Sequence, residues 1–205
     1  MHSRICLEFD DQAELKQCQA QLAQLYEEGL GTADGRREFT AYDILYNVGQ
    51  GALNNVSDLM LQLDLEDRIN SFISHALRVR AAAALGNYVR LFAEYRDAPG
   101  HSQHVMDTFA DVQRLQAVKV MLRGYAPTVP LSVIASALAF ETEAEAAEFV
   151  VDHGCVLGGG EGGSGRHVEC KESKAGWVDH SISKKLEEER KNAQRKAEIV
   201  PISFS

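Results

Sequence analysis

Apolar side chains recur every three or four residues over most of the chain up to about residue 154, the spacing of helices that each bury one face. Leu15, Leu22, Leu25 and Tyr26 trace a first helix behind Asp10-Asp11, which offer N-cap chemistry, and Gly29 and Gly31 stop it. Phe39, Tyr42, Ile44, Leu45, Tyr46 and Val48 trace a second, closed by Gly49 and Gly51. Ser57 is placed to cap a short helix carrying Leu59, Met60, Leu61 and Leu63. Ile69, Phe72, Ile73, Ala76 and Leu77 lead into Ala81-Ala82-Ala83-Ala84, whose small side chains let a neighbouring helix approach closely. Gly86-Asn87 reads as a stop and a fresh N-cap for a helix with Tyr88, Leu91, Phe92 and Tyr95, which Pro99-Gly100 breaks. The longest helix follows, with Val105, Phe109, Val112, Leu115, Val118 and Leu122 as its expected buried stripe. Helices joined by short glycine-containing turns predict stacked helical hairpins, and no fixed period marks a numbered repeat.

After Pro127 the pattern changes. Pro130 suits the first turn of a helix carrying Leu131, Val133, Ile134 and Leu138. Thr142 with Glu145 three residues on forms a capping box for a second helix through Phe149 and Val150 to Gly154. Two β-prone pieces, Cys155–Leu157 and His167–Cys170, flank the glycine run at 158–165. Helix, turn, helix, strand, loop, strand is the layout of a winged helix. The fold class is therefore mainly α, with stacked helical hairpins followed by a small winged-helix subdomain. The predicted organisation is a helical trunk over 1–125, a winged helix over 126–172 and a charged tail over 173–205. Within that tail, Lys184–Ala197 reads as a solvated helix.

Composition narrows the function. The 205 residues carry 21 Lys+Arg against 30 Asp+Glu, a net charge of −9. From Lys171 onward eight basic residues face six acidic ones, so the tail is +2 and the preceding residues carry −11. Any polyanion contact is thus confined to a patch or the tail. No stretch approaches eighteen apolar residues, which excludes a membrane-spanning helix. Met1–Asp10 has no apolar region of the kind a secretory signal needs. Four cysteines, Cys6, Cys18, Cys155 and Cys170, without a CxxC pair fit a reducing compartment, cytosol or nucleus.

Candidate chemistry is sparse. The glycine run lacks GK[ST] and precedes a strand instead of opening a helix, so it reads as a hairpin tip and not a phosphate loop. His153, Cys155, His167 and Cys170 have ligand chemistry for zinc, but alternation along strands sends neighbours to opposite faces, and convergence of all four would need bulges. His101 and His104 share a helix start with no third ligand at a sensible spacing. No nucleophile-elbow GxSxG supports a triad. The reading is therefore no enzyme, no cofactor and no metal. The second helix of the winged helix, where a DNA reader would place its recognition residues, contains Glu143, Glu145, Glu148 and Asp152 and no Lys or Arg. It is expected to dock protein, while any weak RNA or DNA contact falls on wing and tail at Arg166, His167, Lys171 and Lys174.

Six blocks carry a resemblance. Cys18-Gln19-Ala20-Gln21-Leu22 ahead of Leu25-Tyr26, Glu38–Tyr42 with Ile44-Leu45-Tyr46, and Ala84–Tyr88 with Arg90-Leu91-Phe92 are similar to the Sac3/GANP family. So, in the family's order, are Ala117–Met121, Tyr125–Leu131 and Leu138-Ala139-Phe140. Together they span roughly residues 5 to 170, and the run around Phe39–Tyr46 looks most like the leukocyte-receptor-cluster-member branch. The sequence departs from the family's usual residues at Asp43 and Val89. The resemblance implies a PCI-type helical trunk ending in a winged helix, serving as a non-enzymatic scaffold in nuclear mRNA processing and export. It implies two partners, a second PCI-type subunit and a small acidic peptide of the proteasome-lid type, with no membrane. It also implies nuclear, and additionally cytoplasmic, residence, and a family region that begins upstream of this chain, leaving it poorly stable alone. A subunit of the proteasome lid or of a translation-initiation assembly stays open beside this reading, since fold alone does not fix function. A metal or nucleotide enzyme around His153–Cys170 is the third.

Overall fold

A computed structural model describes residues 4–6, 12–159 and 165–174. The expected tail helix at Lys184–Ala197 and the caps at Asp10-Asp11 lie outside the described residues. The chain is mainly helical, with a small three-stranded antiparallel sheet towards its C-terminal end. It divides into two compact units, one of Met1–Ala117 with Ala137–Ala139, the other of Val118–Ser136 with Phe140–Ser205.

The first unit contains α1 (Gln12–Glu27), α2 (Ala33–Gly49), α3 (Leu53–Leu61), α4 (Leu65–Ile69), α5 (Ser71–Ala84) and α6 (Tyr88–Arg96). It also takes most of α7 (Ser102–Gly124). Local chemistry sets these boundaries. Thr32 Oγ1 accepts from the Gly35 N–H at 3.1 Å and starts α2. Asn87 Oδ1 accepts from the Arg90 N–H at 3.0 Å and starts α6, just after Gly86 turns the chain with φ +63°. Two expectations shift. Ser57 lies inside α3, not at its cap, because α3 already begins at Leu53. The helix expected to run on from Ile69 is split, because Asn70 Oδ1 accepts from the Phe72 N–H at 3.0 Å and opens α5, leaving Ile69 in the five-residue α4.

The core of this unit is built on α2, α5, α6 and α7. Tyr42, Ile44, Leu45, Ile73, Leu91, Phe92 and Met106 are fully buried, each side chain gaining roughly 1.5–3 kcal/mol by leaving water. Tyr42 meets Phe39 and Phe72 edge-on, with ring centroids 5.6 and 6.3 Å apart. The buried stripe of α7 is offset from expectation. Val105, Phe109, Val118 and Leu122 are buried as predicted, but Val112 is 55% exposed, and Met106, Ala110, Ala117 and Met121 complete the stripe. Over twenty-three residues, a strict three-four spacing drifts off the true 3.6-residue face.

The second unit holds the end of α7, β1 (Thr128–Pro130), α8 (Leu131–Ala137, to Ser136), α9 (Glu143–Asp152), β2 (Leu157–Gly158) and β3 (His167–Glu169). The sheet order is β1-β3-β2, antiparallel throughout, with Val129 opposite Val168 and Leu157 opposite Val168. Val129 and Val168 are fully buried, as are Leu131, Ile134, Ala146 and Val150 of the same unit. This follows the winged-helix order expected from the sequence, with one addition. Pro130, expected in a helical first turn, instead ends strand β1, since proline is equally at home in a helical first turn and on an edge strand.

Candidate functional site

Helix α9 is held by its cap and its small residues. Thr142 Oγ1 accepts from the Glu145 N–H at 3.1 Å, and the Glu145 carboxylate accepts from the Glu141 N–H at 3.0 Å. Glu143 and Glu145 also complement the partial positive charge of the helix start. Ala146, Ala147 and Val150 face the core. Its exposed side carries Glu145, Glu148 and Asp152, with Val151 49% exposed nearby and Glu143 exposed in the first turn. Placed against phosphates, such a face repels; placed against a protein, it offers carboxylates around an aliphatic spot.

The wing and the turn after it position the residues read as nucleic-acid contacts. Arg166 is exposed, and its carbonyl accepts from the Leu131 N–H at 3.0 Å, fixing the return strand to α8. His167 opens β3 half-buried, its Nε2 3.0 Å from Glu169 Oε1. Residues 170–174 make one helical turn, anchored where Ser173 Oγ, fully buried, accepts from the Val156 N–H at 2.8 Å. That anchor leaves Lys171 and Lys174 exposed three residues apart on one face of the turn. Glu169 and Glu172 lie among these cations, so the stretch is only weakly basic.

The four residues with zinc-ligand chemistry have other engagements. His153 Nδ1 is 2.7 Å from the Phe149 carbonyl, and His167 pairs with Glu169. Cys155 and Cys170 are buried, and burial pushes the Cys155 thiol up to about 12 and the Cys170 thiol up as well. Among the described residues, no three His, Cys, Asp or Glu are grouped to hold a metal ion.

Sequence reasoning missed the polar clusters of the first unit. The Glu38 carboxylate accepts from Arg4 Nε and Nη2 at 3.0 and 2.7 Å and from the Tyr42 hydroxyl at 2.9 Å, while that hydroxyl accepts from the His101 N–H at 3.0 Å. Burial alone would raise the Glu38 carboxyl, but the hydrogen bonds from Arg4 and Tyr42 bring it below the usual range. Asp67, also buried, accepts from Arg37 Nε at 2.8 Å and lies 3.4 Å from Arg36. The hydrogen bond from Arg37 outweighs burial and holds the Asp67 carboxyl low. The arginine–carboxylate partners are 30 or more residues apart in sequence, beyond any local pattern. The same unit exposes large aliphatics, with Leu61 84%, Leu65 83% and Ile69 82% accessible.

Comparison with known proteins gives a consistent result. The model of the SAC3/GANP family matches residues 5–158. A Leukocyte receptor cluster member 8 homolog of Xenopus laevis is 38% identical over 174 residues, covering 85% of this chain and 21% of that protein. A THP3 homolog of Schizosaccharomyces pombe is 37% identical over 149 residues, covering 73% of this chain and 37% of the relative. SAC3 family protein A of Arabidopsis thaliana is 39% identical over 142 residues, covering 68% of this chain and 14% of the relative. The chain thus spans well under half the length of these curated relatives.

Proposed function

The chain belongs to the SAC3/GANP family, and from that membership we propose that it is a non-enzymatic scaffold of nuclear mRNA processing and export. In this reading the helical unit and the winged-helix unit form a PCI-type module that docks a second PCI-type subunit and a small acidic peptide. Residence is nuclear, with a cytoplasmic share. The observation that carries the reading is the exposed surface of α9, where Glu145, Glu148 and Asp152 share one side, Glu143 sits in the first turn and there is no Lys or Arg, whereas a nucleic-acid reader would need cations. The exposed Leu61, Leu65 and Ile69 support it from the other unit. Nucleic acid, in this account, is met weakly and without sequence preference by Arg166, Lys171 and Lys174, with His167 already engaged by Glu169.

The test is affinity purification of the tagged full chain from nuclear extract, with co-purifying proteins identified by mass spectrometry. The expected set contains a PCI-type subunit together with mRNA-processing factors. Proteasome-lid or initiation-factor subunits recovered without any mRNA-processing factor would overturn the proposal.

A further inference from the structure

A cleft of about 260 Å³ opens in the first unit beside α1, α2 and α3, with Leu22, Phe39, Leu59 and Ile73 in its apolar lining. That volume lies below the roughly 300–1,000 Å³ of small-molecule sites, and suits a few side chains better than a whole cofactor. Gln19 lines the cleft, and its buried Nε2 has no hydrogen-bond partner among the described residues. A buried donor left unpaired is costly, so the cleft calls for an occupant that brings an acceptor. A peptide carbonyl is the acceptor that arrives together with side chains.

Charge is arranged unevenly around the cleft. On one side Arg36 and Arg37 are both committed to Asp67, at 3.4 and 2.8 Å, and Arg37 also lies 3.6 Å from Asp34 and 3.4 Å from Glu66. On the other side the cleft runs on past Asp43, Asn47, Asn55 and Asp58, and no Lys or Arg is among its described lining there. Amides, not cations, orient the carboxylate on this side. Asn47 Nδ2 donates to Asp43 Oδ1 at 3.0 Å and to the Asp43 carbonyl at 2.8 Å, and Asn55 Nδ2 donates to Asn47 Oδ1 at 3.1 Å. Asn47 is itself buried, so the carboxylate it holds is fixed in place without being neutralised by it.

We propose that this cleft docks a basic segment of a partner protein, one that carries Lys or Arg beside aliphatic or aromatic anchors. The anchors enter next to Leu22 and Leu59, a backbone carbonyl accepts from Gln19 Nε2, and the cations meet Asp43 and Asp58. Fixed carboxylates beside an apolar lining select by charge as well as by fit, because a like charge set against them costs affinity. The small acidic peptide of the proposed scaffold is therefore turned away here, as is nucleic acid. The basic segment is a further partner, and its binding does not depend on the scaffold reading.

The experiment selects random peptides displayed on phage against the immobilised full chain. The most enriched sequence, made with a fluorescein label, is then titrated by anisotropy. Expected are sequences with an excess of Lys and Arg beside aliphatic or aromatic residues. Asp58→Lys, at an exposed position, should weaken the peptide at least about fivefold, and replacing the peptide's cations by Glu should restore much of its affinity for that variant. Gln19→Met keeps the length of the side chain and removes the unpaired donor, so it should weaken the parent peptide roughly threefold or more without lowering Tm. Misfolding would lower affinity and Tm together, which keeps the two causes apart. Enrichment of acidic or uncharged sequences, no enrichment at all, or a peptide whose affinity ignores Asp58→Lys or Gln19→Met would overturn the proposal.

Discussion

Tyr42→Phe tests whether the polar cluster of the first unit holds its helices together. The Tyr42 side chain is fully buried, and its hydroxyl both donates to Glu38 at 2.9 Å and accepts from the His101 N–H at 3.0 Å, linking α2 to the start of α7. Phenylalanine keeps the ring, and with it the edge-on contacts to Phe39 and Phe72, so no cavity opens. What is lost is one hydrogen bond to a charged acceptor, about 1.5–3 kcal/mol, and one neutral bond, about 0.5–1.5 kcal/mol. Glu38 keeps both hydrogen bonds from Arg4, which places the first loss at its lower end. The expected destabilisation is about 2 kcal/mol, or a fall in Tm of roughly 4–8 °C for a chain of this size. Urea unfolding followed by circular dichroism measures it directly, with Tyr125→Phe, an exposed tyrosine, as the control expected to stay within about 0.5 kcal/mol. A Tyr42→Phe loss no larger than the control's would refute the cluster's structural role.

Three further outcomes follow from the same geometry. Because Arg37 holds the Asp67 carboxyl below its unfolded value, the folded pKa is the lower one. The stabilisation is then fully present above the unfolded value of about 3.9 and is lost as pH falls through the folded one. Asp67→Asn should accordingly flatten the acid side of a plot of urea midpoint against pH between roughly 5 and 2, and an unchanged slope would contradict the pairing. The buried Cys155 thiol, raised to about 12, should react with an aromatic disulfide reagent at pH 8 at least roughly tenfold more slowly than an ordinary thiol, the loss of thiolate outweighing the gain in intrinsic nucleophilicity; labelling as fast as an ordinary thiol in the native chain would contradict its burial. In fluorescence-anisotropy titrations with single-stranded RNA, Arg166→Ala with Lys171→Ala and Lys174→Ala should weaken binding and flatten the salt dependence by about 0.7 for each phosphate contact removed. Glu145→Gln with Glu148→Gln should leave or strengthen it. The reverse pattern would make α9 the contact surface.

The helices were legible wherever a stop and a cap stood side by side. Gly86-Asn87 and Thr142 with Glu145 fixed their boundaries because both signals are local hydrogen bonds to the first helical turn. Asn70 is not legible as a cap because the apolar spacing runs through it, and spacing cannot register that one side chain caps the next helix. The spacing puts Val112 on the buried stripe of α7, but several faces of a long helix carry aliphatics and tertiary packing chooses among them, leaving it exposed. The exposed carboxylates of α9 could be read from composition within one helix. The pairs Arg4–Glu38 and Arg37–Asp67 could not, since each joins residues from distant parts of the chain. The cleft at Gln19 has the same character, as its lining comes from α1, α2, α3 and α5.

The most direct test of a scaffold held together by protein contacts is the affinity purification repeated with and without ribonuclease, with each co-purifying protein quantified by mass spectrometry. If the proposed protein-docking role is right, the PCI-type subunit and the mRNA-processing factors should be recovered within about twofold of their untreated amounts, since a surface of exposed carboxylates and aliphatics suits a protein partner better than a polyanion. Loss of those proteins on ribonuclease treatment would show that RNA bridges them, and would contradict it.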